Sequence, residues 1–128
     1  MAQKRTLVLD SGALILSERD PLIDALLKKW ASEGASIIIP AIALTEATRG
    51  GPRDATINRI VHAVELVASI DEPIARSSGR KLARRKNAGT VDAVIMASAE
   101  QHQATDIATT DPTDMKALSE GAINIIPL

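Results

Sequence analysis

The feature that most constrains this chain is a rhythm. Short, largely apolar runs alternate with segments of helical period. Thr6–Leu9, Ser36–Ile39, Ile107–Thr110 and Ile123–Ile126 are β-branched and apolar, and Leu66–Ile70 is a further short candidate. Apart from Asn124 in the last, none of these runs alternates polar with apolar residues. A strand with one wet face would do so, whereas a strand covered on both faces reads as continuous apolar sequence. Strands of this kind interleaved with helices predict a parallel sheet packed between helical layers, an α/β sandwich. A length of 128 residues suits one such domain, spanning 1–128.

The intervening segments carry helix signals. Asp20-Pro21 reads as an N-cap followed by Pro in the first turn, with Leu22, Ile23, Leu26, Leu27 and Trp30 at helical spacing and a stop at Gly34. Ile42 to Arg49 predicts a helix broken at Gly50-Gly51-Pro52. Ile57, Ile60, Val61 and Val64 mark another. Ile74 to about Lys86, Thr90 to His102 and Pro112 to Leu118 complete the set. Asp10-Ser11-Gly12 reads as the exit turn of the first strand. Trp30 is the only aromatic residue, so the core is expected to be built from aliphatic side chains, and base-stacking platforms of the kind single-strand binders use are not expected. There is no Cys, which excludes disulfides and thiolate metal sites. The apolar run after the short basic start meets Asp10 within a few residues, too soon for a signal peptide or a membrane span. A cytoplasmic protein with no membrane association is the expectation.

Several carboxylates stand where this architecture would bring them together. Asp10 ends the first run and Asp111 ends the fourth. Ligand sites of open parallel sheets form at the carboxyl ends of strands. Glu46 follows the second run, Asp92 opens a helix, and Asp114 lies one turn beyond Asp111. Taken singly, an Asp after a strand serves as a turn or cap as readily as a ligand. Taken together, four or five ionised carboxylates in one crevice repel one another, and a hard divalent cation such as Mg2+ resolves that conflict. His62 and His102 fall within predicted helices away from these motifs.

The surroundings of these acids resemble the motifs of the PIN-domain ribonucleases. VLDSGALI holds Asp10, PAIALTEATRG holds Glu46, VDAVIMASAEQH holds Asp92, and IATTDPTDMKAL holds Asp111 and Asp114. Order, spacing and length fit across essentially the whole chain. The resemblance implies a four- or five-stranded parallel sheet between helices and Mg2+- or Mn2+-dependent cleavage of RNA. It carries over Asp10, Glu46, Asp92 and Asp111 as catalytic and metal-binding acids, with Asp114 as an auxiliary metal ligand and Thr109 orienting a ligand or water. Stand-alone PIN domains of this size are most often toxins of the VapC type. The resemblance therefore also implies a cognate antitoxin and a homodimer. One departure is Gly12, at a position often held by a small hydroxyl residue.

Net charge is −1, so phosphate contacts must come from local basic residues. Arg76, Arg80, Lys81, Arg84, Arg85 and Lys86 crowd the segment before Asp92. Such a run is either a solvated helix face or a phosphate track; its position favours RNA-backbone contact by Arg80, Arg84 and Arg85. Arg49 and Arg53 flank the Gly-Gly turn and could extend the track. Trp30 is expected in the core, with an antitoxin anchor as the other possibility. Two other functions remain open. One is a phosphatase or phosphotransfer domain with Asp10 as nucleophile, although Gly12 stands where a dehalogenase-like site needs a second Asp. The other is an inactive PIN-like binding module.

Overall fold

A computed structural model describes residues 4–128, so the first three residues of the basic start lie outside it. Five strands form one all-parallel sheet: β1 (Thr6–Leu9), β2 (Ser36–Pro40), β3 (Leu66–Ala68), β4 (Asp106–Thr109) and β5 (Asn124–Pro127). Their order is β3-β2-β1-β4-β5. Leu7, Val8 and Leu9 of β1 are all buried. Successive side chains of a strand point to opposite faces, so this central strand is covered on both. That is the physical content of its unbroken apolar run.

Seven helices connect the strands: α1 (Ser11–Ser17), α2 (Pro21–Ser32), α3 (Ala43–Ala47), α4 (Ala55–Ala63), α5 (Glu72–Arg84), α6 (Thr90–Gln101) and α7 (Pro112–Leu118). They form two groups. α1 packs on α2, α3 and α4, while α6 packs on α5 and α7. α6 is the most buried helix, with Ala93 to Ala99 continuously inside. Its small residues let it lie close to its neighbours; a helix apolar all round belongs in a core.

The expected turn at Asp10-Ser11-Gly12 is instead the start of α1. Asp10 is its N-cap and accepts a hydrogen bond from Ala13 N at 2.7 Å. Asp20 and Asp71 cap α2 and α5 in the same way. The third strand is shorter than expected, ending at Ala68, and the helix around Glu46 is only Ala43–Ala47. Asp54 explains the latter stop. Its buried carboxylate accepts from the amides of Arg49 and Gly50, at 3.1 and 2.7 Å, and folds the loop back. Trp30 is 7% exposed within the core, and the Arg5 guanidinium lies 4.0 Å from its ring centre. Among the described residues no helix is long and apolar enough to cross a membrane.

Candidate acidic active site

β1 and β4 are neighbours, with Leu9 paired to Ala108. The chain runs outward from β1 through β2 to β3, then returns to place β4 on the other side of β1. The sheet connection thus reverses between β1 and β4, and a crevice opens beyond their carboxyl ends. Its lining includes Asp10, Ser11, Gly12, Thr45, Glu46, Arg49, Asp92, Thr110 and Asp111, around a volume of about 480 Å3. A second cavity of about 350 Å3 shares Asp92 and is bounded by Arg84, Arg85, Lys86, Asn87 and Asp114.

All five acids picked out in the sequence face these two adjoining cavities. Three come closest. Carboxylate oxygens of Asp92, Asp111 and Asp114 lie within 4.8 Å of one another. Asp92 projects from the first turn of α6, and Asp114 from the first turn of α7. Asp111 occupies the N-cap position of α7 yet makes no side-chain bond to that helix. It differs in this from Asp10, Asp20 and Asp71, whose carboxylates are engaged in capping.

The electrostatics match the geometry. Burial and then the charges of Asp10, Asp111, Glu46 and Asp114 push the Asp92 carboxyl up to about 6. Asp10, 3% exposed, is also raised, by burial first and by Asp111 in addition. Hydrogen bonding from the Thr109 hydroxyl and the amides of Ala13 and Thr110 offsets part of that rise. Thr109 itself is fully buried, and its hydroxyl accepts from Asp111 N at 2.8 Å. It therefore sets the backbone between the two acids rather than reaching into the crevice.

Another buried acid shows what a structural carboxylate looks like here. Asp106 lies at the opposite, amino end of β4. Burial would raise its pKa, but hydrogen bonds from Arg5, Thr105 and Asn124 hold it below the ordinary range. Asp92 has no such partner among the described residues; its neighbours are other acids. An all-oxygen donor set of this kind suits a hard divalent cation. Ser11 Oγ, buried in the crevice wall without a hydrogen-bond partner, adds a polar group awaiting one.

The basic segment divides. Arg84, Arg85 and Lys86 border the cavity that holds Asp92 and Asp114. Arg80 is exposed on α5 and borders neither cavity. Lys81 points inward, 2% exposed, and its Nζ donates to Leu118 O at 2.8 Å and Glu100 Oε1 at 2.5 Å. Arg76 pairs with Glu72. Arg76, Arg80 and Arg84 stand four apart along α5, but α5 ends at Arg84, so only its last turn and the following loop border the cavity with the acids. Sequence reasoning also passed over Thr110, Thr45 and Asn87, small polar residues with no spacing signal.

Fold and crevice define a class: a doubly covered, all-parallel α/β domain with an acidic crevice at the sheet's carboxyl edge. The family model of the PIN domain matches residues 7–120, and the chain belongs to that family. No curated protein sequence matches it significantly. Solved structures do. A chain of VapBC2 from Rickettsia felis, bound to a DNA fragment from its promoter, superposes with TM-score 0.76 at 13% identity, covering 96% of this chain and 98% of that one. A chain of DNA-bound VapBC from Salmonella typhimurium gives 0.74 at 17% identity, covering 96% and 98%. A chain of FitAcB from Neisseria gonorrhoeae gives 0.69 at 19% identity, covering 94% and 96%. Likeness at such identities is likeness of fold.

Proposed function

We propose that this PIN domain is a metal-dependent endoribonuclease and the toxin of a toxin–antitoxin pair. PIN domains are typically nucleases that use divalent metals. The observation that carries the reading is the acid cluster of Asp92, Asp111 and Asp114, its oxygens within 4.8 Å, beside Asp10 in the same crevice. These carboxylates would hold Mg2+ or Mn2+, with Glu46 lining the same crevice as Asp10, Asp92 and Asp111. A bound ion of this kind supplies a water nucleophile at neutral pH and positive charge to stabilise the leaving oxygen.

The residues of the chain do the rest. Asp10 ties the N-terminus of α1 to the crevice floor. Thr109 fixes the turn that presents Asp111. Arg84, Arg85 and Lys86 hold phosphates of the RNA backbone without reading bases. Arg80, exposed on α5 and outside both cavities, would meet the RNA backbone only further along the strand. A phosphotransfer reaction on Asp10 is disfavoured: its carboxylate is 3% exposed and already accepts from Ala13 N. The named structural neighbours, VapBC and FitAcB, favour a cognate antitoxin for this chain, and a cytoplasmic homodimer goes with that reading.

The test is cleavage of a mixed RNA pool by purified protein with Mg2+ or Mn2+, with EDTA, and with Asp10→Asn or Asp92→Asn. Asn at position 10 keeps an oxygen for Ala13 N, so the fold survives while the charge is lost. Cutting that needs metal and disappears in both variants supports the reading. Equal cutting by wild type and variants would overturn it, and metal binding without cutting of any RNA would favour an inactive module.

A further inference from the structure

Gly12 and Thr110 fit into each other. A Cβ built on Gly12 would fall inside contact distance of Thr110 Oγ1 and 3.0 and 3.1 Å from Thr110 Cβ and Cγ2. No side chain can stand at position 12 while Thr110 keeps this place. Both residues line the crevice with Asp10, Asp92 and Asp111. The Thr110 hydroxyl makes no hydrogen bond among the described residues, and Thr110 is exposed. An uncommitted hydroxyl is thus held against the backbone of α1, one residue before Asp111.

We propose that Thr110 is a substrate-binding residue: its hydroxyl donates a hydrogen bond to a non-bridging oxygen of the phosphodiester lodged among the carboxylates. Gly12 is its counterpart, kept bare so that the hydroxyl can occupy that volume from the bend that follows β4. The chemistry is specific. The other side-chain oxygens lining the crevice are the carboxylates, which repel a phosphate, the buried Ser11 hydroxyl, and the Thr45 hydroxyl on α3, which unlike Thr110 does not adjoin Asp111 in the chain. A neutral hydroxyl donor can approach the phosphate without adding to that repulsion. A hydrogen bond to a charged oxygen accounts for roughly a tenfold to hundredfold effect when lost.

The inference rests on the nuclease reading, so its test uses two readouts. Thr110→Val should lower kcat/KM for RNA about tenfold or more, leaving Mn2+ affinity and melting temperature near wild type. Thr110→Ser should recover most of the loss. Gly12→Ser should be impaired because it evicts Thr110, and the double variant Gly12→Ser/Thr110→Ala should be more active than either single variant, having returned one hydroxyl to the same volume. The second readout is phosphorus NMR of a phosphorothioate-linked RNA dinucleotide titrated with protein and Mg2+, where Thr110→Val should weaken binding. Unchanged cleavage and binding in Thr110→Val would overturn the proposal and leave the nuclease standing. An intact dinucleotide response lost in Thr110→Val, with no RNA cleaved by wild type, would support the hydroxyl contact and sink the nuclease.

Discussion

Lys81 and Asp92 are two charged residues whose surroundings answer opposite questions. Lys81 is buried, yet every partner it needs is present: Leu118 O from the end of α7, Glu100 from α6, and Glu120 beyond, itself paired with Arg84. Removing one member of such a set leaves the other uncompensated. Lys81→Met should destabilise the fold by about 3 kcal/mol in urea unfolding, and Lys81→Met/Glu100→Gln should recover part of it. A change below about 0.5 kcal/mol would mean the pair is solvated in solution. Asp92 lacks compensation. Its folded-state pKa, about 6, lies above the unfolded value near 3.9, so the folded protein binds more protons between those limits. Metal-free protein should therefore lose stability as pH rises from about 4 through about 6. Asp92→Asn should flatten that slope in the urea midpoint; an equal slope in both would place the source elsewhere. Asp106 acts with the opposite sign, its lowered pKa giving stability above the unfolded value that is lost as pH falls through the folded one.

At the scale of elements, helix ends decide where functional groups go. α2 stops because Gly34 takes φ +85°, a conformation that costs an L side chain about 1–2 kcal/mol. Gly34→Ala should lower stability by about that amount in thermal unfolding, with RNA cleavage unchanged at temperatures where the variant stays folded. Gly34 has open space around it, so sterics do not add to the cost. α6 and α7 start rather than stop at the site. Their first turns carry Asp92 and Asp114, where the positive end of each helix favours a carboxylate. This local benefit helps two like-charged groups tolerate each other before any cation arrives.

The whole molecule joins elements distant in sequence. Residues 10, 46, 92 and 111 come from four separate segments, and the reversal of strand order between β1 and β4 makes them neighbours. A ligand that binds only the folded arrangement stabilises it by mass action. Mg2+ or Mn2+ at millimolar concentration should raise the melting temperature of wild type, more at pH 7.5 than at pH 5, where protons compete for Asp92. Asp92→Asn/Asp111→Asn should show little or no shift. A wild-type protein indifferent to both metals at both pH values would argue against a preformed cation site.

How far the chain announced this can be followed residue by residue. The parallel sheet was legible because Leu7, Val8 and Leu9 are all apolar, and only a strand buried on both faces can be so. Asp10, Glu46, Asp92, Asp111 and Asp114 were legible through motif order and strand ends, and Asp20-Pro21 through local capping chemistry. α1 was not, because Asp10-Ser11-Gly12 carries turn and cap signals alike, and packing against α2, α3 and α4 selects between them. The short third strand and the early end of α3 depend on contacts outside their own segments, the latter on Asp54. The inward turn of Lys81, the position of Arg80 outside both cavities and the fit of Thr110 over Gly12 are likewise beyond any local pattern. Periodicity and capping act within a few residues, so the sequence by itself determined the elements and the acids at their ends. Partners for a lysine, a hydroxyl or a metal come from segments tens of residues away, and only the tertiary structure decided which of them meet.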